Sequence, residues 1–282
     1  LPRPLPRPAE MHVRNVRRLS LRFIHLSLLA LALAASAVAL PVRAAGPAAA
    51  PAPAVAGTAA ARHLAARQAL WKQDFAWARA LWRSMADAGD TAALVELGHM
   101  ARRGDGQPAD AAEARRLYEA ALAKGNPDGE AGLGRLAEQG RAGPADPAEA
   151  VRRYRAAAAK GGPWARYFLA LHLRSGDHLP QDLPQSLRLL RESAAKGLVD
   201  AEHEIAIAQR EGWDLPPDLP AFAATMERLA KLGHPDSQRE WALALARGQG
   251  VPQQPAQALE WLQRAAERAD SGARNALAIV HR

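Results

Sequence analysis

Glycine returns along this chain every 36 residues, at Gly89, Gly125, Gly161, Gly197 and Gly233, with Ala269 in register one step further on. A unit of that length cannot bury its own apolar face, so neighbouring units must stack to share a core. The interval therefore confines the chain to an array. Arrays expose extended surfaces, which argues for binding.

Read in columns, the register predicts two helices per unit. Eight residues after each glycine stand Leu97, Leu133, Leu169, Ile205, Trp241 and Leu277, each followed by a small residue: Gly98, Gly134, Ala170, Ala206, Ala242 and Ala278. A large side chain beside a small one lets two helices approach closely. Four residues before the large column, Ala93, Gly129, Ala165, Ala201, Ser237 and Ala273 form a second small column. These define the first helix. Its stop signal is Gly104, Gly140, Gly176, Gly212 and Gly248, with Pro108, Pro144, Pro180, Pro216 and Pro252 four residues on.

Asp110, Asp146, Asp182 and Asp218 stand where a second helix begins and offer acceptors to its free N–H groups; Gln254 replaces the aspartate in the last unit. The second helix carries Ala114, Ala150, Ser186, Phe222 and Ala258, then the column Trp82, Tyr118, Tyr154, Leu190, Met226 and Leu262. Lys124, Lys160 and Lys196 fall at its C-terminus, which suits the negative end of a helix dipole. The expected fold is all-α, a right-handed α–α superhelix of about six helix–turn–helix repeats.

These residues resemble the Sel-one-like repeat, the SLR class within the tetratricopeptide superfamily. The resemblance rests on the Leu-Gly pair and on the Gly-x-Gly-Val-Pro loop at Gly248, Gln249, Gly250, Val251 and Pro252. The helix aspartate, Ala-x-x-Trp/Tyr and Ala-Ala-x-x-Gly complete it. It covers about residues 60–282. Arg153, Thr225 and Gly143 depart from the pattern, and residues 59–74 are degenerate, as an end cap of a solenoid is. The resemblance implies a non-enzymatic adaptor whose curved surface assembles other macromolecules, often in the bacterial envelope. Fold alone supplies no ligand.

Residues 1–44 read as an export signal. From Met11, the expected start, run Arg14, Arg17, Arg18 and Arg22, then an apolar run over 23–40, then the small-residue site Val42, Arg43, Ala44. The competing reading is an uncleaved inner-membrane anchor, because 18 apolar residues reach the lower limit for crossing a bilayer. Removing 1–44 takes out seven Arg and Glu10, so Lys plus Arg falls from 37 to 30, Asp plus Glu from 29 to 28, and the net charge from +8 to +2. The basic balance belongs to the targeting segment, which excludes a nucleic-acid reading. Residues 45–58 are an Ala/Pro-rich spacer and 59–282 the solenoid. There is no cysteine, so packing alone must hold an exported domain.

The register also disposes of isolated motifs. Ser193-Ala194-Ala195-Lys196 spells S-x-x-K, yet Ala121 and Ala157 occupy the serine's column and no S-D-N or K-T-G follows. Arg103-Gly104-Asp105 contains only the loop glycine of its column. The seven histidines after residue 44 include no H-E-x-x-H, so no metal, cofactor or catalytic residue is expected. Gly129, Gly132 and Gly134 fall inside a helix, where each costs roughly 1 kcal/mol relative to alanine. Gly132→Ala is therefore expected to stabilise, unless neighbouring backbone needs the space.

One stretch is not explained by the repeat. Trp164, Tyr167, Phe168 and Leu171 recur at i, i+3, i+4 and i+7, on the side of their helix opposite Ala165, Leu169 and Leu173. By analogy with tetratricopeptide arrays this second face looks into the concave groove, beside His99, Arg135, Arg174, His203 and Arg239. Aromatic and arginine side chains are what partner-binding hot spots favour; the alternative is that tight curvature buries the stripe as packing. The expected function is a periplasmic or secreted monomeric scaffold for envelope proteins. The alternative is a carbohydrate or peptidoglycan-fragment binder stacking sugars on these rings.

Overall fold

A computed structural model describes residues 57–267, apart from 142 and 215. The readings of 1–44 and most of 45–58, and the columns at 269–278, fall outside the described residues. Within them lie twelve α-helices and no strand: α1 (Ala59–Trp71), α2 (Phe75–Asp87), α3 (Thr91–Arg103), α4 (Ala111–Ala123), α5 (Asp128–Glu138), α6 (Pro147–Ala159), α7 (Pro163–Ser175), α8 (Leu183–Ala194), α9 (Val199–Glu211), α10 (Leu219–Leu232), α11 (Pro235–Arg247) and α12 (Pro255–Glu267). They pair as six helix–turn–helix units. Each helix packs on its neighbours in sequence, and α3, α5 and α7 also touch one another as successive first helices.

The cap column forms as expected. Asp110 accepts from the N–H of Glu113, Asp146 from Glu149 and Asp182 from Gln185, each at 2.8 Å, and Asp218 accepts from Ala221 at 2.9 Å. Gly104, Gly176, Gly212 and Gly248 end the first helices in the left-handed conformation. The glycines of the 36-residue ladder work differently from those inside helices. Gly89, Gly125 and Gly197 hold φ of 93°, 84° and 83°, yet a Cβ there would meet nothing within 4 Å. Backbone handedness alone keeps these turns glycine.

Inside the helices, glycine is held by crowding. A Cβ on Gly98 would lie 2.5 Å from Tyr118 Cε1, and one on Gly132 would lie 2.3 Å from Tyr118 Cδ1. The Tyr118 ring, fully buried, thus fills a slot between α3 and α5 whose two walls are glycine. A Cβ on Gly129 would come 2.4 Å from the carbonyl oxygen of Tyr118, which is backbone. This reverses the expectation that Gly132→Ala stabilises: the slot is what lets α4 and α5 approach. The same complementarity runs along the stack. Gly98 and Gly134 face Tyr118 and Tyr154, whereas Ala170 and Ala206 share a core with Leu190 and Met226, and Ala242 one with Leu262. A smaller residue on the first helix goes with a larger, flatter one on the second.

One cap crosses between units and was not expected from the register. Asp128, the first residue of α5, is 4% exposed, and its Oδ1 accepts from the N–H of Ala165 at 3.1 Å, in the first turn of α7. Gly162, the N-cap of α7, has no side chain to serve there. Burial pushes the Asp128 carboxyl up to about 6, against the pull of the Ala165 and Trp164 N–H groups. A carboxyl raised on folding stabilises the fold fully below its unfolded value and loses that contribution as pH climbs through its folded one. Asparagine keeps the acceptor without the charge. Asp128→Asn is therefore expected to gain on the native protein by up to about 3 kcal/mol between pH 4 and pH 7, measured as the difference between two urea titration series.

Candidate functional site

The candidate site is the face built by the first helices, and its regular element is an ion pair between successive units. Arg67 binds Glu96 at 2.8 Å, Arg174 binds Glu204, and Arg210 binds Glu240 at 2.5 Å. Glu96, Glu204 and Glu240 occupy one column of the register, and between Glu96 and Glu204 that column holds Gly132 and Phe168. At this joint Glu138 of α5 stands in the column of Arg174 and Arg210, so that column offers no arginine here. Phe168 packs instead under the guanidinium of Arg135 from the same helix and fills the joint with apolar surface.

The aromatic stripe grows from that exchange. Phe168 is 6% exposed, with Tyr154 at 5.4 Å, Trp164 stacked at 5.6 Å and the guanidinium of Arg135 over its ring at 4.9 Å. Trp164 also meets Tyr167 edge-on at 5.7 Å and His99 at 4.7 Å. Trp164, Tyr167 and Leu171 remain half-buried. Of the residues expected to line a groove, His99 and His203 are buried along with Phe168. His99 Nδ1 lies 2.8 Å from Tyr118 Oη, and burial, with Arg103 and Arg102 nearby, keeps the imidazole neutral. His203 Nδ1 lies 2.9 Å from Ser237 Oγ, and burial and the neighbouring His234 push it down to about 4. These three residues support the face from beneath.

The arginines are half-buried and engaged. Arg135 binds Glu138 at 2.6 Å, Arg174 adds a cation–π contact with Trp213 at 5.2 Å, and Arg239 binds Asp236 at 3.0 Å. Burial works against the charge on Glu138, yet hydrogen bonds from His172 and Tyr154 and the charge of Arg135 hold it down at about 2. Arg153, which departs from the repeat pattern, ties the two helices of its own unit together: it binds Glu130 of α5 at 2.6 Å as well as Glu149 of α6. Ser193 is fully buried and its hydroxyl donates to the Pro163 carbonyl at 2.9 Å, so the S-x-x-K serine is a packing residue. Among the described residues no three His, Asp or Glu side chains are placed to hold a metal ion, and no helix is long and apolar enough to cross a membrane.

What the register could not reveal is that α1 lies across this face. Arg67 Nη1 donates to the Gly197 carbonyl at 3.1 Å, Gln68 Nε2 donates to the Leu232 carbonyl at 3.2 Å, and Trp71 meets His234 edge-on at 5.4 Å. Two cavities flank the helix. One, of about 370 Å³, is lined by Trp71, Arg103, Asp200 and Gln238; the other, of about 380 Å³, by His63, Leu64, Lys196 and Leu232. Arg67, Glu96 and Trp164 line both. Residues 59–74 carry no register, and the contacts of Arg67 and Gln68 span 130 and 164 residues, so no local signal pointed to them.

The Sel1 repeat model matches residues 91–126, 127–162, 165–198 and 235–270. The chain belongs to the Sel1 repeat family. Sel1 repeats generally form non-enzymatic scaffolds that mediate protein–protein interactions. The stretch 199–234 escapes the family model although α9 and α10 pair like the other units. There Phe222 and Met226 replace the usual small residue and aromatic, and both are fully buried. A crystal structure of a protective antigen present in uropathogenic Escherichia coli strains, displaying an SLR fold, is 26% identical, with a TM-score of 0.50 over 70% of this chain and 42% of that one. This chain thus spans less than half of that relative. A Sel1 repeat protein from Oxalobacter formigenes, 21% identical, shares the fold with a TM-score of 0.55 over 78% of this chain and 88% of its own. Comparison with curated proteins finds no match.

Proposed function

We propose that this Sel1 repeat protein is an exported scaffold that holds other proteins of the cell envelope against its concave face. The observation that carries the reading is the half-exposed edge of α7, where Trp164, Tyr167 and Leu171 interrupt a face otherwise tied by ion pairs. Apolar surface in a polar frame is what a protein partner desolvates on binding. The basic start, apolar run and small-residue site within 11–44 support export, as does the likeness to a protective antigen. Leu171 is the position to test, because it is half-exposed and outside the buried cores. Immobilised protein is expected to retain a defined set of envelope proteins, and Leu171→Asp to lose them with helix content unchanged. Equal retention by both would refute the reading.

A carbohydrate or peptidoglycan fragment is the second reading. The cavity of about 370 Å³ supports it, since Trp71 and Trp164 share it with Glu96, Asp200 and Gln238, and sugars need rings and polar groups together. Titration with N-acetylglucosamine oligomers is then expected to change tryptophan fluorescence saturably. A linear or absent response would remove this alternative.

A further inference from the structure

The concave face already holds a helix. The buried residues of α1, Ala66 and Ala69, share a core with Leu81 and Trp82 of α2, while its polar and aromatic side chains reach across the face. Arg67 reaches Glu96 and the Gly197 carbonyl together, Gln68 reaches the Leu232 carbonyl, and Trp71 reaches His234. Both carbonyls belong to the turns that close α8 and α10, where helix ends leave acceptors without intrahelical donors. The seat is loose, with a cavity on either side. The hinge is strained: α1 joins α2 through residues 72–74, and Gln73 holds φ at 63°, which side chains other than glycine and asparagine seldom adopt.

We propose that α1 is a displaceable occupant of the groove, and that the groove receives a helix of another protein carrying an arginine and, four residues on, an aromatic side chain. This deepens the scaffold reading and rests on it. Residues at i and i+4 share one face of a helix, so Arg67 and Trp71 define the spacing the groove accepts. The guanidinium fork suits a carboxylate and a carbonyl at once, and Asp200 adds negative charge beside the path. Helix-in-groove recognition reads such anchors.

Two measurements on the full chain test this. In hydrogen exchange, the amides of α1 are expected to exchange at least about tenfold faster than those of α3 to α11, because a clasp opens without global unfolding. In fluorescence anisotropy, a labelled peptide with the sequence of residues 58–72 competes against α1 at high effective concentration. The Arg67→Glu/Trp71→Ala protein is expected to bind it at least about tenfold more tightly than native protein, and a peptide with glutamate in the arginine's place is expected not to bind. Equal affinity of both proteins, or exchange of α1 only with the rest of the array, overturns the proposal. So does a dimer that trades α1 between copies. Should the double variant fail to fold, exchange in the native chain decides alone. Retention of envelope proteins with protected α1 would refute the clasp and leave the scaffold standing. The reverse outcome would refute the scaffold's envelope partners.

Discussion

Phe168→Ala is expected to lower the free energy of unfolding by about 3–5 kcal/mol, the range for deleting a buried phenyl ring. The ring is almost wholly buried between Tyr154 and Trp164, under the Arg135 guanidinium, at the joint between α5 and α7. The loss has two parts: the transfer of the ring to water and the void left behind. Glu138 makes repair difficult, because it stays charged beside the void, held by Arg135, Tyr154 and His172. Urea unfolding followed by far-ultraviolet circular dichroism measures the change. A loss below about 1 kcal/mol would mean that the joint collapses around the hole, and that Phe168 belongs to the surface after all.

Gly132→Ala is expected to destabilise as well, by about 1–3 kcal/mol, although alanine is the better helix former. The two effects compete directly. Helix propensity offers roughly 1 kcal/mol in favour of alanine, while overpacking a filled core costs roughly 1–3 kcal/mol and sometimes more. Overpacking wins here because the atoms in the way are the face of a fully buried ring that cannot swing aside: Gly98 closes the other wall, and Tyr118 Oη is tied to His99. Thermal unfolding of the single variant checks the sign. Adding Tyr118→Leu is expected to recover part of the loss, since it removes the flat ring whose Cε1 would lie 2.4 Å from a Cβ at 132.

The elements were legible because each has a chemical mark of its own. Helix ends follow from Gly104 or Gly248 and the proline beyond; helix starts follow from Asp110, Asp146, Asp182 and Asp218. The packing was legible only in part. A glycine inside a helix looks the same in sequence whether it is a flaw or a slot, and only the ring of Tyr118 distinguishes the two at Gly132. The aromatic stripe was found as a departure from the register, but its division into a buried Phe168 and half-open Trp164 and Tyr167 depends on curvature, which no single unit encodes. The pairs Arg174–Glu204 and Arg210–Glu240 lie 30 residues apart in consistent columns and could have been found by searching for charge at that offset. The seat of α1 could not, since its partners are far off in sequence and two of them are backbone carbonyls.

That seat bears on the order of events when the chain is made. In most solenoids a unit needs only its neighbours, so structure can accumulate as residues emerge. Here α1, the first of the described helices in the chain, finds its last hydrogen-bond acceptor, the Leu232 carbonyl, 164 residues later. Every unit between can settle on the one before it while α1 waits. Among the described helices the first one made is thus seated only after α10 is complete.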